Sequence, residues 1–174
     1  MTINRFRFKK MMTDFVIINI VLNGAFYIIN FRNYTGTVTF DAVSTDLFMG
    51  LVLLGIFCPA AGFVNIPKAI NKNALDVSTR KKSFFNHWFP HNNILRSLIL
   101  TVFTVVFSLV FFIVLPNVLG LDIINHAIGF SIKVITAIVM SAIVGYVVIE
   151  LTLDDYQETM SLKERHCELE KRTI

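Results

Sequence analysis

One lysine stands alone in the last long apolar run of this sequence. From Ile123 to Ile149 the only charge is Lys133. A charge inside an apolar helix is a candidate functional group, because placing it in hydrocarbon is costly. Lys133 lies about five residues from the nearer end of its expected helix, roughly 7–8 Å at 1.5 Å per residue. A lysine stem reaches that far, so the expected behaviour is snorkelling, with the ammonium among lipid headgroups. The alternative is an inward-facing Lys133 that holds an anionic substrate or headgroup, or that pairs with Asp122.

Neutral polar residues recur at helical spacing. Asn19, Asn23, Tyr27 and Asn30 share one face of a first helix. Ser97, Thr101, Thr104 and Ser108 recur at i, i+4, i+7 and i+11, within about 60° of one another on a third. Phe103, Phe107 and Phe111 form a separate stripe on that helix. Ala137, Ser141 and Gly145 make a ridge of small residues, and Gly55 and Gly62 stand one heptad apart with Cys58 between them. In lipid, helices are held by close backbone approach and interhelical hydrogen bonds, which accounts for every one of these faces. The sharper reading makes Asn19, Asn23, Tyr27, Thr101, Thr104, Ser108 and Lys133 the lining of a polar path. Spacing does not separate the two. No acidic residue is expected near the middle of any span, which argues against a carboxylate proton relay.

The segment from Arg80 to His91 mixes basic and aromatic residues. Such a mixture suits a stretch lying in the membrane interface, with Arg80, Lys81 and Lys82 near anionic lipid and Trp88 as a ring anchor. Nucleic-acid binders use similar mixtures, but beside an apolar span lipid is the better partner, and no nucleic acid is expected. His87 and His91 have the i, i+4 spacing of metal ligands; Pro90 between them disfavours a regular helix and no third ligand is near, so no metal is expected. Asn33-Tyr34-Thr35 matches a glycosylation pattern but abuts an apolar run. Cys58 and Cys167 belong to different environments, so neither a disulfide nor a reactive thiol is expected. With no catalytic motif or phosphate loop, the chain is expected to be no enzyme and to need no cofactor.

The elements that carry these residues follow from where the charges are missing. Of 174 residues, 55 % are hydrophobic and 16 % charged, and seventeen are phenylalanine. The mean hydropathy is +0.65. Soluble domains carry about a quarter charged residues, so a soluble enzyme, a disordered chain and a disulfide-stapled module are excluded. Uncharged runs of 17, 21 and 25 residues separate Asp14 from Arg32, Asp46 from Lys68, and Arg96 from Asp122. About 20 apolar residues cross a bilayer as a helix. The fold class is therefore an all-α membrane protein with four transmembrane helices in one integral domain, at about 12–31, 47–66, 94–115 and 128–153. The basic cluster before the first run resembles a signal peptide, but no small-residue cleavage site follows and three asparagines interrupt the run, so a retained helix is expected. Asp46 suits the start of the second helix, and Pro67 and Pro116 suit the ends of the second and third. A charged tail over 154–174, with Glu168 and Arg172 at i, i+4, continues the fourth helix as a solvated extension.

Basic residues orient the spans. Fourteen of the sixteen lie in the amino-terminal arm, the 67–96 connection or the tail, one (Arg32) lies in the other two connections, and Lys133 lies in a span. Positive residues collect on the cytoplasmic side, so both termini are expected there, and the net charge of +4 is a topology signal. The first and third spans start about 82 residues apart and the second and fourth about 81, which makes two hairpins of like orientation.

Residues 15–67 form a helix–polar loop–helix unit, with Phe57-Cys58-Pro59-Ala60 inside its second helix and Pro67-Lys68 at its exit. Residues 94–153 form another that lacks a counterpart of Pro59. This layout resembles a family of small, functionally uncharacterised bacterial membrane proteins built from tandem two-helix units. The resemblance implies two parallel helical hairpins and a bacterial cytoplasmic membrane, and it brings no activity. The expected function is that of an accessory or interaction protein in that membrane, alone with the bilayer, as a homo-oligomer, or beside a larger membrane-protein partner. The alternative is a small oligomeric transporter or channel lined by the Asn, Ser and Thr faces.

Overall fold

The computed structural model describes residues 1–77, 80–120 and 122–172, with side chains through 163. The expected Glu168–Arg172 pair and the side chain of Cys167 lie outside the described residues. Four helices are long and apolar enough to cross a membrane: α1 (Ile3–Phe31), α2 (Phe40–Lys72), α4 (Asn93–Leu119) and α5, whose span is His126–Lys163. The short α3 (Phe85–Trp88) lies in the 73–92 connection. Strands β1 (Thr37–Thr39) and β2 (Ile123–Asn125) join the α1–α2 and α4–α5 connections as one antiparallel pair, with Val38 opposite Ile124.

The helices overrun the expected bounds for local reasons. α2 starts at Phe40, because the Thr39 hydroxyl caps the Ala42 N–H and Asp41 sits in the first turn; both are favoured at a helix N-terminus. Asp46 therefore lies inside the helix. α2 also runs through Pro59 and Pro67 to Lys72. A proline inside a helix leaves the carbonyl four residues back without its donor. For Pro59 that carbonyl is Gly55, and the Thr101 hydroxyl from α4 lies 2.7 Å from it. α4 passes Pro116 behind a π-helical turn at Val110–Val114, a widened turn that makes room for the ring. It ends where Gly120 adopts φ +65°, the left-handed conformation that glycine takes at a helix C-terminus. α5 is continuous from His126 to Arg172, so the tail does extend the fourth helix.

α5 and α2 form the centre of the bundle. Half of the most apolar window of α5 is buried against 22 % for α4, and both α1 and α2 pack along α5, while α4 packs on α2. α1 and α2 touch each other little. Glycines set the closest approaches. Phe15 sits between α2 and α5: a Cβ on Gly62 would meet Phe15 Cζ at 2.9 Å, and one on Gly145 would meet Phe15 Cγ at 2.7 Å. Seven residues earlier on α2, a Cβ on Gly55 would run into the Thr104 hydroxyl and stand 3.2 Å from the Thr101 Cα. Small residues permit this backbone contact where lipid offers no hydrophobic drive. Gly55→Ala should destabilise the protein by roughly 1–3 kcal/mol through overpacking. Gly24→Ala, whose Cβ meets only the Phe130 ring at 3.8 Å, should change it far less. Thermal unfolding in detergent compares the two, and equal midpoints would remove the Gly55 contact from the account.

Outward faces are hydrocarbon. Ile17, Val21, Ile28 and Ile29 on α1, and Val102, Val106 and Val110 on α4, are all exposed. Large contiguous apolar surface of this kind on a folded chain marks contact with lipid or with another protein.

Candidate functional site

Polar and charged side chains collect at three levels of the bundle. At the end closed by β1 and β2, Lys133 is only 1 % exposed. It does not snorkel. α5 directs it inward, where its ammonium pairs with Asp46 of α2, and the partner is not Asp122. Asp46 was taken for the start of a helix; the longer α2 carries it inside, at the same depth as Lys133. The Asn30 amide of α1 donates to the other Asp46 oxygen at 2.8 Å, and the Tyr27 ring centroid lies 6.0 Å from the ammonium. The Tyr27 hydroxyl donates to the His126 carbonyl at 3.0 Å. Three helices are thus tied through one carboxylate, and a paired charge of this kind replaces the contacts with water that burial removes.

The middle level holds the two polar faces. Asn19 donates to the Phe15 carbonyl at 2.8 Å and to the Cys58 sulfur at 3.0 Å. Asn23 donates to the Asn19 carbonyl at 3.0 Å. Its amide oxygen lies over Gly50, where a Cβ would come within 2.5 Å of it. Thr101 reaches both Gly55 O and its own helix at Ser97 O (2.7 and 2.8 Å), and Thr104 donates to Thr101 O at 2.8 Å. Ser108 is fully buried and its hydroxyl has no hydrogen-bond partner. Among the described residues no hydrogen bond joins the Asn face to the Thr face; each is turned to α2. Beside the Asn face, where α1 and α2 diverge, a cleft of about 430 Å³ runs from Asp14 and Asn65 to Phe26 and Gly50. Its walls are mostly hydrocarbon.

The third level, at the end that gathers both arms and the 73–92 connection, is a charge cluster around the base of α5. Glu150 accepts from Arg7 of α1 at 3.1 Å and from Arg80 at 2.5 Å. Arg80 also meets Asp154 at 2.7 Å. The Ser83 hydroxyl donates to Asp154 at 2.7 Å and its backbone N–H at 3.1 Å. Arg96 is 0 % exposed; it pairs with Asp155 and donates to the Pro90 carbonyl at 2.5 Å. These contacts correct two expectations. The Arg80 side chain is 5 % exposed and is turned to the protein rather than to lipid. The tail does not begin as a solvated extension, because Asp154 is buried and Asp155 is engaged.

Lys82 forms an exposed pair with Glu158 at 3.1 Å, and Lys81 is exposed. Trp88 is 69 % exposed and Phe84 lies beside it, ring centroids 6.0 Å apart, as an interfacial anchor requires. His87 and His91 are both exposed. Among the described residues no group of three or more His, Cys, Asp or Glu could hold a metal ion.

Sequence reasoning gives no ion-pair role to Asp46, Glu150, Asp154, Asp155 or Arg96. Glu150 was legible: it falls inside the expected fourth span. The signal was a carboxylate within that span with Arg7 and Arg80 available at the same end, and the spacing of basic residues was read for orientation alone. No protein-family model, curated protein or solved structure matches the chain, so the residues themselves carry the assignment of its function.

Proposed function

We propose that this chain is an accessory or interaction protein of a cell membrane, with both termini and the Arg80–His91 segment on the cytoplasmic side. Its task is to hold a partner or stabilise an assembly, with no solute moved through its interior. The observation that carries the reading is the use made of the polar faces. Asn19, Tyr27, Thr101 and Thr104 give their donors to neighbouring backbone or sulfur, and Lys133 gives its charge to Asp46. Groups engaged in this way act as structural ties, which supports packing over a path. The exposed Lys81 and Trp88 suit contact with anionic headgroups, and the apolar outer faces suit a homo-oligomer or a larger membrane protein. The two hairpins belong to this proposal as tandem units in chain order whose helices interleave when packed. The layout is that of the small bacterial proteins it resembles.

The second reading, a small oligomeric transporter or channel, draws on the cleft between α1 and α2, which reaches inward to Gly50 just beside the Lys133 stem. Flux into liposomes separates the two. The accessory reading predicts no protein-dependent flux for ions or small metabolites; saturable flux that Lys133→Ala abolishes would overturn it. Orientation has its own test. Asn33→Cys, in a chain lacking Cys58 and Cys167, should react with an impermeant maleimide added outside intact cells, and labelling only after lysis would reverse the topology.

A further inference from the structure

The cleft between α1 and α2 exists because both helices lean on α5 and are joined to each other near the Lys133 end, where Asn30 meets Asp46. From Asp14 to Phe26 it follows α1 for roughly 18 Å at 1.5 Å per residue. Its volume is about 430 Å³. Clefts of about 300–1,000 Å³ take small molecules.

The lining has one electrostatic sign. Asp14 stands at the rim, and its neighbour Lys10 meets it at 2.9 Å as a partly exposed i, i+4 pair, a weak contact that another cation can displace. Asn19 and Asn23 are more than nine-tenths buried. The Asn19 amide nitrogen donates to the Phe15 carbonyl and to Cys58 Sγ, and the Asn23 amide nitrogen donates to the Asn19 carbonyl. That fixes the amide orientations and leaves both side-chain oxygens as acceptors. Phe26 and Phe57 supply aromatic faces, and no lysine or arginine lines the cleft. Lys133 lies behind Gly50, neutralised by Asp46. A carboxylate, two amide oxygens and two aromatic rings in an apolar wall all attract positive charge. The wall itself, with Ile18, Leu22, Phe26 and Phe57 each at least two-fifths exposed, or close to half, opens sideways toward the hydrocarbon.

The geometry points to a binding site for a lipophilic organic cation, an alkyl- or aryl-substituted ammonium or phosphonium that enters from the bilayer with its charge at Asp14 and its apolar body along Ile18, Leu22 and Phe57. The inference goes beyond the accessory reading and requires neither flux nor a protein partner.

Tetraphenylphosphonium and tetraphenylborate share a shape and differ in the sign of their charge. Equilibrium dialysis against the full chain in nanodiscs, with empty nanodiscs subtracted, should give saturable binding of the phosphonium near one per chain. The borate should neither bind saturably nor compete. Asp14→Asn should weaken phosphonium binding at least tenfold, Asp14→Glu should keep it within a few-fold, and Ile18→Trp, which fills the cleft from an exposed position, should abolish it. Ile143→Trp, on an exposed face of α5, should leave it unchanged. Equal binding of the borate, wild-type affinity in Asp14→Asn, or loss in Asp14→Glu and Ile143→Trp alike would each overturn the proposal. A cleft held by co-purified lipid, with no phosphonium uptake, would do the same. None of these outcomes bears on the accessory function.

Discussion

Lys133→Ala should lower the stability of this protein by roughly 3–5 kcal/mol, because removing one partner of a buried ion pair leaves the other charge uncompensated. Asp46 would keep a hydrogen bond from Asn30 and lose its counter-charge in a place where its side chain is 10 % exposed. The double change Asp46→Asn with Lys133→Met should recover most of the loss, since exchanging a buried pair for neutral groups of similar size is often neutral. Thermal or denaturant unfolding in detergent measures all four proteins of the cycle. Had Lys133 snorkelled, alanine would cost little and the two changes would add. Additivity, or a Lys133→Ala protein as stable as wild type, would show the pair to be absent in the membrane.

Glu150→Ala should produce a loss of the same order at the opposite end. Glu150 receives Arg7 and Arg80 together, so its removal leaves Arg7 without its carboxylate and Arg80 with Asp154 alone. The consequence reaches the 73–92 connection, which is pinned to α5 through Arg80, through Ser83 on Asp154 and through Gln157 on the Arg80 carbonyl. Trypsin should cut at Lys81 and Lys82 much faster in Glu150→Ala than in the wild type, because cleavage requires a locally released backbone. Lys82→Ala removes only an exposed pair with Glu158 and should change stability by less than about 1 kcal/mol. Unchanged cleavage in Glu150→Ala would mean that the connection is held by something other than this cluster.

Both predictions concern groups whose roles the sequence shows only in part. Lys133 is conspicuous in a linear reading because its neighbours are apolar, yet its partner is 87 residues away. Nothing in the run from Ile123 to Ile149 says whether the ammonium turns to lipid or to α2. Arg80 shows the same limit in reverse. Beside Lys81, Lys82 and Trp88 it belongs to an interfacial pattern, and three of those four are exposed as that pattern requires. The fourth is drawn out of the interface by two carboxylates on α5. Pro59 is legible as a residue inside the second helix, and the structure shows why the helix survives it: the freed Gly55 carbonyl meets Thr101, and Gly55 itself lets α4 come close enough.

What the sequence determined by itself was the existence of four apolar helices, their order and the polar stripes on them. Those properties come from the local count of charges and from the 3.6-residue period, which neighbours along the chain carry without help. Helix ends were less legible, because Thr39 starts α2 ahead of Asp46 and the π-helical turn carries α4 past Pro116 to Gly120. Only the tertiary structure decided which stripe faces which helix, that α2 and α5 form the centre, that α1 and α2 stand apart over a cleft, and that Asp46, Glu150, Asp154 and Asp155 neutralise the buried cations. Those outcomes depend on pairings between residues distant in sequence. In a medium that excludes water, a charge is compensated by whichever opposite charge the packing brings to it, and no local pattern names that partner.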